Sequence, residues 1–233
     1  MSTPWLSVVI PVRNEAGRLE QTLRPLQPWR ARGVEVLVVD GDSSDASARE
    51  ASEWADQVLT SSPGRARQMN LGAGHARAPL LWFLHADSTI SDRHLAALRE
   101  LADTPCWGRF DVRLSAGGLT LWLVATGMNL RSRLTGVATG DQGIFVHESL
   151  FWQAGGYPDQ PLMEDVALTD RLRRLAPPRC LREPLVTDSR RWERHGRWKT
   201  IMLMWWLRFR YWRGDSPEAL HRCYYETEGR ELK

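Results

Sequence analysis

The sequence of 233 residues predicts an α/β fold in which a mostly parallel sheet is flanked by helices and followed by a C-terminal helical appendage. Short β-branched apolar runs at 7–12, 35–39 and 80–84 are typical of strands that are buried on both faces. Segments of helix length separate these runs, which favours parallel strands joined by right-handed crossovers. A composition of 42% hydrophobic and 25% charged residues excludes wholesale disorder.

The first half of the chain alternates between apolar runs and helical spacing. Its strands are predicted, in order, at 7–12, 35–39, 57–60 and 80–84. Its helices are predicted at 18–26, at 46–55, within 64–78 and at 92–102. We expect Pro28 to end the first helix and Ser44 or Asp45 to cap the second, because these residue types break and begin helices.

After residue 105 the alternation is weaker. The elements predicted there are an edge or antiparallel strand at 109–114, a helix at 119–134, a strand at 142–147, a helix at 165–175 and a Trp-rich helix at 198–212. The patterns predict one domain over residues 1–197 and the appendage over residues 198–233.

Charge is unevenly distributed although the formal net charge is only +3. Residues 1–170 contain 15 basic and 20 acidic side chains, whereas residues 171–233 contain 16 and 8. The small net charge and the lack of a known binding motif argue against nucleic acid as a partner. The three cysteines are widely spaced, and we find neither a signal-peptide pattern nor a run of ~20 apolar residues, so we expect a cytoplasmic protein.

Polar clusters follow three of the predicted strands. Asn14 and Glu15 follow the first strand, Asp40 and Asp42 the second, and the segment 85–87 the strand at 80–84. Asp, Asn and Ser also favour turns for local reasons, so each cluster alone has a structural interpretation. Three clusters at the carboxyl ends of parallel strands, where ligands bind in such sheets, together indicate a site.

Six segments of this chain, taken in order, resemble those of family 2 glycosyltransferases of the GT-A fold: SVVIPVRNEA, EVLVVDGDSSD, GRARQMN, FLHADS, TGDQGIFV and MEDVALTDRL. The resemblance extends from Ser7 to beyond Trp192. The forms GRARQMNLGA and FLHADS resemble a bacterial subgroup named for its association with radical-SAM and selenodomain proteins. The resemblance implies a GT-A-like (Rossmann-like) enzyme that transfers a sugar from a nucleotide-diphosphate sugar, UDP rather than GDP, to a hydroxyl acceptor with inversion.

The resemblance also implies which residues hold the donor. It assigns Glu15, Asp40 and Asp42 to the base and ribose, because a carboxylate accepts hydrogen bonds from a uracil N3–H or from ribose hydroxyls. Arg65 and Arg67 lie beside a predicted helix start, where forked donors and free N–H groups suit a phosphate. The alternative for these two arginines is a solvated basic face.

Family members carry a DxD motif that holds Mg²⁺ or Mn²⁺ on the diphosphate, and this chain has His85-Ala86-Asp87 there. Asp87 matches the final carboxylate and is the predicted metal ligand. His85 is either a second ligand, better suited to Mn²⁺ than to Mg²⁺, or a hydrogen-bonding partner of the sugar or diphosphate. Arginines in place of a metal ion are a further alternative.

The resemblance identifies Glu164-Asp165 as the family's acid pair and Asp165 as the general base, although acids also suit the first turn of a helix. Asp141 is expected either to bind sugar hydroxyls or to turn the chain. Arg191 and Trp192 resemble the RW of a QxxRW pattern, in which Arg191 would reach the diphosphate and Trp192 would stack on a sugar. Asp188 occupies the Gln position, so processive transfer is not supported.

The appendage leaves two interpretations open. The Trp-rich helix either packs on the domain or another subunit, or lies on an anionic membrane surface through residues 198–213, as a peripheral protein facing a lipid-linked acceptor would. An alternative function is a non-catalytic nucleotide-sugar-binding or membrane adaptor. A sugar-phosphate nucleotidyltransferase is disfavoured because residues 11–17 lack the Gly-rich, Lys-containing loop of such enzymes.

Overall fold

The computed structural model describes residues 3–188 and 197–227. Within them, eight strands form one sheet in the order β3-β2-β1-β4-β7-β6-β8-β5. The strands are β1 (Leu6–Val12), β2 (Val34–Asp40), β3 (Gln57–Thr60), β4 (Leu80–Phe83), β5 (Ser88–Thr89), β6 (Trp107–Leu114), β7 (Phe145–His147) and β8 (Arg179–Thr187).

Helices cover both faces of this sheet. They are α1 (Leu19–Leu23), α2 (Gln27–Arg30), α3 (Ser47–Ser52), α4 (Arg65–His75), α5 (Asp92–Arg99), α6 (Leu119–Thr135), α7 (Glu148–Gln153), α8 (Glu164–Leu175), α9 (Arg197–Trp212) and α10 (Pro217–Thr227), with 3-10 turns at Arg24–Leu26 and Gly140–Gln142. No helix among the described residues is both long and apolar enough to cross a bilayer.

The four strands β3, β2, β1 and β4 are parallel, as the apolar runs predicted. Alternate side chains enter two hydrophobic cores. Val8 and Val36 pack on the side of α1 and α5, whereas Val9 and Leu37 pack on the side of α4 and α8. Since both faces of these strands are buried, every position of β2 is apolar or tied to a partner, and the predicted boundaries agree closely with those observed.

The second half of the sheet is mixed. β7 is antiparallel to β4 and β6, and β6 is parallel to β8 across a bulge between Phe110 and Asp111. The strand predicted at 109–114 as an edge or antiparallel strand is therefore interior, and it is antiparallel to β7. Sequence patterns did not predict β5, β8, α7 or α10, because β5 has two residues and β8 is half exposed and contains Pro184.

The expectation that Pro28 ends the first helix is wrong. The segment folds instead as α1, a 3-10 turn and α2, and Pro28 lies in the first turn of α2. A proline is tolerated there because the N–H of that position has no partner within the helix.

The two C-terminal helices pack against the segment that precedes α8. Leu207 of α9 and Leu220 and Tyr224 of α10 form a third buried cluster with Met163. The appendage thus contacts the domain at the start of α8, and the division of the chain at residue 197 stays a prediction.

Candidate active site

The loops that follow β1 and β2 are joined by hydrogen bonds between main chain and side chains. Ser43 Oγ accepts from the Asn14 N–H at 2.9 Å, and Asn14 Oδ1 accepts from the Ser44 N–H at 2.9 Å. Ser47 Oγ accepts from the Glu15 N–H at 2.8 Å. Asn14 itself has a φ of 55°, a left-handed conformation that Asn tolerates. These bonds form one rigid rim at the carboxyl end of the sheet.

The three carboxylates predicted to hold the base and ribose lie on this rim in different settings. Asp40 is buried, and its two oxygens accept hydrogen bonds from the main-chain N–H and the hydroxyl of Ser43, so it shapes the turn. Asp42 is exposed in the left-handed region, with a φ of 62°. Glu15 is partly buried and lies 3.5 Å from Arg18. Asp42 and Glu15, unlike Asp40, are therefore at least partly accessible to solvent.

Gln68 of α4 joins the ends of β1 and β2, a role that sequence analysis missed. Its buried Nε2 donates to the carbonyls of Val12 and Val39, both at 2.8 Å. A Cβ on Gly41 would lie 2.9 Å from the Gln68 amide, so a glycine is required for this close approach. The signal that could have found Gln68 is a long amide side chain on an otherwise apolar helix face that meets two strand ends.

The two predicted phosphate arginines differ in their partners. Arg65 begins α4, and its Nη1 lies 3.6 Å from Glu164 Oε1 at the start of α8. Arg67 forms a surface ion pair with Asp159, with Nε to Oδ1 at 2.8 Å. Thus Arg65 belongs to the acid cluster described next, whereas the ion pair of Arg67 lies outside that cluster.

Glu164 and Asp165 occupy the first turn of α8, directly after Met163, which has a φ of 64°. Glu164 is only 4% exposed. Its burial, together with the charge of Asp165, raises the pKa of Glu164 to about 7, although Arg65 opposes the shift. Asp165 Oδ2 accepts a hydrogen bond from the Gly140 N–H at 2.7 Å, which holds the carboxylate against the turn at 140–142.

His85 lies on the other side of Gly140. A Cβ at Gly140 would be 2.6 Å from His85 Nε2 and 3.7 Å from Asp165 Oδ2, so this glycine lets the three groups converge. His85 Nε2 is buried and makes no hydrogen bond within the described ranges. Burial and the charge of Arg65 lower the pKa of His85 to about 3, so the imidazole is neutral at pH 7.

Asp87 is exposed. After Glu164, Asp165 and His85, it is the fourth acidic or metal-ligating group near Arg65. Although desolvation alone would lower the pKa of Arg65, the carboxylates of Glu164, Asp165 and Asp87 together raise it. The guanidinium thus lies in the joint field of the three predicted catalytic and metal-binding carboxylates. The predicted residues on β4, α4 and α8 are brought to one place.

The side chains fit a divalent ion only in part. Over residues 3–188 and 197–227 no three His, Cys, Asp or Glu side chains converge as ligands. His85 Nε2 points at Gly140, whereas Asp87 offers one exposed carboxylate. Since Mg²⁺ is often held by one or two carboxylates together with substrate phosphates, this set fits an ion that Asp87 and the diphosphate of a donor would share.

Asp141 lies in the 3-10 turn at 140–142, which is stabilised by side-chain hydrogen bonds within the turn and to α6. Thr139 and Gln142 cap the turn reciprocally, and the buried Gln142 Nε2 donates to Ser132 Oγ of α6 at 3.1 Å. Asp141 Oδ1 is buried with no hydrogen bond within the described ranges, and burial raises the pKa of Asp141. Asp141 thus lies near Asp165, and its binding to sugar hydroxyls stays a prediction.

Arg131 of α6 is a site residue that sequence analysis missed. Its Nε and Nη2 are buried and make no hydrogen bond within the described ranges. Burial lowers the pKa of Arg131, and the nearby charges of Asp141 and Asp165 act in the opposite direction. No motif marks this arginine, since it comes from a helix far from the strand ends in sequence. The predicted Arg191 and Trp192 lie outside the described residues.

The mixed sheet, with the rim after β1 and β2 and the acid pair at the start of α8, defines a GT-A fold. TarS of Staphylococcus aureus, solved with UDP-GlcNAc, aligns with a TM-score of 0.63 at 15% identity over 78% of this chain and 58% of that one. A mannosyltransferase of Pyrobaculum calidifontis, solved with GDP-Man and Mn²⁺, aligns with a TM-score of 0.60 at 21% identity over 81% and 57%. At these identities the likeness shows the fold alone.

The chain belongs to glycosyl transferase family 2, whose model it matches over residues 7–132. It is 33% identical over 101 residues to the 4,4'-diaponeurosporenoate glycosyltransferase of Staphylococcus haemolyticus, a match that covers 40% of this chain and 27% of that protein. It is 35% identical over 101 residues to an uncharacterized glycosyltransferase of Mycobacterium tuberculosis, covering 41% and 38%. The matches thus span about a quarter to two fifths of these relatives. The predicted family is confirmed, and the subgroup stays a prediction.

Proposed function

We propose that this chain is an inverting glycosyltransferase that moves a sugar from a UDP-sugar to a hydroxyl acceptor. The observation on which the proposal depends is the convergence of Arg65, Asp87, His85 and the Glu164-Asp165 pair at the carboxyl ends of the strands. The family membership and the fold support it, since TarS is solved with UDP-GlcNAc on the same architecture.

In this proposal Asp42 and Glu15 bind the base and ribose, and Asp40 positions their rim through Ser43. Arg65 binds the diphosphate and stabilises the charge that develops as it leaves. Arg67 supports the same phosphates from the edge. If Asp87 shares a divalent ion with the donor, that ion supplies further positive charge at the leaving group.

Asp165 is the proposed general base. It takes the proton of the acceptor hydroxyl while that oxygen forms a bond to the anomeric carbon. The bond from this carbon to the diphosphate oxygen breaks on the opposite face, so one displacement inverts the configuration and releases UDP. The Gly140 N–H holds Asp165 Oδ2 in place, and Asp141 is positioned to bind sugar hydroxyls. Arg191 and Trp192 are proposed to contact the diphosphate and the sugar.

The neutral His85 supports a hydrogen-bonding role in the proposal. Its Nε2 is buried next to Gly140 without a partner in the described part of the chain, and such an atom is costly unless a ligand satisfies it. We assign the sugar or diphosphate of the donor as that ligand. A divalent ion would then be bound through Asp87, and His85 would lie beside it as a hydrogen-bonding residue.

The acceptor in this proposal is a lipid-linked hydroxyl, met at an anionic membrane surface through residues 198–213. The exposed Trp205, Phe209 and Trp212 of α9 support this part of the proposal. They place large aromatic side chains in water beside arginines, a combination that suits the boundary of a bilayer.

Turnover of a UDP-sugar by the wild-type protein and by Asp165→Asn tests the proposal. General-base assistance is worth about 10²–10⁴-fold, so the variant should lose turnover by that factor. Asp170→Asn, which removes a partly exposed carboxylate paired with Arg173 and Arg174 on the same helix, is the matched control and should retain turnover. Equal turnover by wild type and Asp165→Asn would remove the assigned base and would favour a nucleotide-sugar-binding adaptor.

The donor is identified by thermal shift with UDP-, GDP- and dTDP-sugars, each with and without Mn²⁺. A ligand that binds only the folded state raises its stability by mass action. The proposal expects the largest shift with a UDP-sugar. No shift with any of these nucleotides would contradict it.

A further inference from the structure

α6 exposes an apolar side, unlike a typical helix on a water-exposed surface. Its inward side is mixed, with Leu121 and Ala125 buried there. Asn129 bonds both the N–H and the carbonyl of Val112, and Ser132 accepts from Gln142. Its outward side is apolar, with exposures of 53–77%, at Leu119, Trp122, Leu123, Leu130 and Leu134. At 100° per residue these five side chains fall within an arc of about 120°. The apolar stripe of α6 therefore faces away from the protein.

α9, which contacts α6, also exposes an apolar side. Leu207 is buried on the inward side. The outward side chains are 45–81% exposed and again fall within an arc of about 120°: Met202, Trp205, Trp206, Phe209 and Trp212. A monomeric water-soluble protein rarely exposes contiguous apolar patches of more than a few hundred Å², so two neighbouring stripes of this kind indicate a binding surface.

The charges of these two helices determine which partner fits. Neither Leu119–Thr135 nor Arg197–Trp212 contains an Asp or Glu in the sequence. Their charged residues are all basic: Arg131, Arg133, Arg197, Lys199, Arg208 and Arg210. Arg131 lies in the candidate active site, and Arg133 and Arg210 pair with Asp111 and Asp215 outside the helices. Among the described arginines of this surface, Arg208 and the adjoining Arg213 form no such ion pair, and they carry the charge argument. The Arg210 guanidinium lies 4.6 Å from the centre of the Trp206 ring, and that of Arg213 lies 5.8 Å from the Phe209 ring. Arginines beside exposed aromatic rings suit the boundary between lipid headgroups and acyl chains.

A second copy of the chain would also cover the apolar side chains, but it fits the charges poorly. A two-fold contact brings the same patch of both copies together, and here it would oppose basic side chains to basic side chains. An anionic phospholipid surface attracts each basic side chain by about 1 kcal/mol and accepts the apolar stripes. We propose that α6 and α9 together form the surface through which this domain binds an anionic phospholipid bilayer.

The surface adjoins the candidate active site through both helices. Arg131 of α6 lies near Asp141 and Asp165, and Leu207 of α9 packs in one cluster with Met163, which precedes Glu164. Binding would thus hold the acid pair close to the headgroup region. The inference rests on the proposed function in its membrane contact through residues 198–213, which it extends to α6, and in the acceptor hydroxyl presented from the bilayer. The binding itself does not depend on the proposed catalytic activity.

Flotation with lipid vesicles tests the binding without any sugar donor, so its outcome is independent of the proposed activity. The probes are vesicles of phosphatidylcholine alone and vesicles of equal parts phosphatidylcholine and phosphatidylglycerol. The variants are Trp122→Gln with Leu130→Gln on α6, and Trp205→Gln with Trp212→Gln on α9. Trp152→Gln, a half-exposed tryptophan on α7, is the matched control. All these side chains are exposed, and thermal unfolding checks that each variant folds.

The wild type should float with the anionic vesicles and much less with neutral ones, and added salt should release it. Each double variant should weaken binding about tenfold or more, because each removes two large apolar contacts. Equal binding by the α6 variant and the wild type would overturn the two-helix surface. Equal binding to both vesicle types would overturn the charge argument. A wild-type dimer that the variants convert to monomer, with no vesicle binding, would show that a second copy is the partner.

Discussion

Glu164→Gln should stabilise the folded protein at alkaline pH and leave it nearly unchanged at pH 5. Glu164 is 4% exposed, and its pKa in the folded state is raised from 4.5 to about 7 by burial and by Asp165. A group whose folded pKa is raised contributes stability below its unfolded pKa, and this contribution is lost as the pH rises through the folded pKa. The wild type should therefore lose stability between about pH 5 and pH 7.

The size of the effect follows from the shift. Each pKa unit corresponds to about 1.4 kcal/mol, so a shift from 4.5 to about 7 amounts to roughly 3 kcal/mol. Glutamine cannot ionise, and the opposing interaction with Arg65 is already contained in the shift. The variant should thus gain roughly 3 kcal/mol at pH 8.5, or on the order of 6–12 °C in melting temperature for a chain of this size.

Urea denaturation at pH 5 and pH 8.5 measures the difference between variant and wild type. Glu148→Gln is the matched control. It removes a carboxylate from the first turn of a helix, as Glu164→Gln does, but Glu148 is exposed to solvent whereas Glu164 is buried. A difference for Glu164→Gln that is the same at both pH values would refute the electrostatic reasoning. A gain in stability with reduced donor turnover would be consistent with an acid pair held under strain for function.

Three further predictions concern the site. Gln68→Ala should lower the free energy of unfolding by about 1–3 kcal/mol, because it removes two buried hydrogen bonds, to the carbonyls of Val12 and Val39. The Val12 carbonyl keeps the Gly41 N–H as a donor. Chemical denaturation measures the loss, and an unchanged midpoint would contradict it. Gly140→Ala should reduce donor turnover at least about tenfold, because its Cβ would lie 2.6 Å from His85 Nε2. Full turnover by this variant would show that the close approach of His85 and Asp165 at Gly140 is not needed for activity. His85→Asp restores the first carboxylate of the family's DxD motif and should tighten Mn²⁺ binding in the presence of UDP about tenfold or more, as measured by calorimetry. Unchanged affinity would show that the residue at position 85 does not bind the metal ion.

The first half of the fold follows from local patterns. The apolar runs at 7–12, 35–39 and 80–84 become β1, β2 and β4 within one residue at each end, because strands buried on both faces must be apolar throughout. The second half did not follow from such patterns. β8 is half exposed and β5 pairs with it over two residues, so their place in the sheet depends on contacts between distant segments.

The predicted site shows the same division. Glu164, Asp165, Asp87 and Arg65 were named from short segments, and the structure brings them together. Gln68 and Arg131 were missed, because each acts on segments far away in sequence and neither lies in a motif with a recognisable spacing. The opposite roles of Asp40, which caps its own turn, and Asp42, which is exposed, also required the hydrogen bonds to Ser43.

By itself the sequence determined the family, the parallel half of the sheet and the residue types of the site, since these depend on spacing along the chain. Only the tertiary structure decided the protonation of His85 and Glu164, because desolvation depends on what surrounds a side chain. It also decided which face of α6 meets water. The sequence shows that this helix is apolar on most sides, but only its packing on β6 shows that Asn129 and Leu121 point inward and that Trp122 and four other leucines point outward.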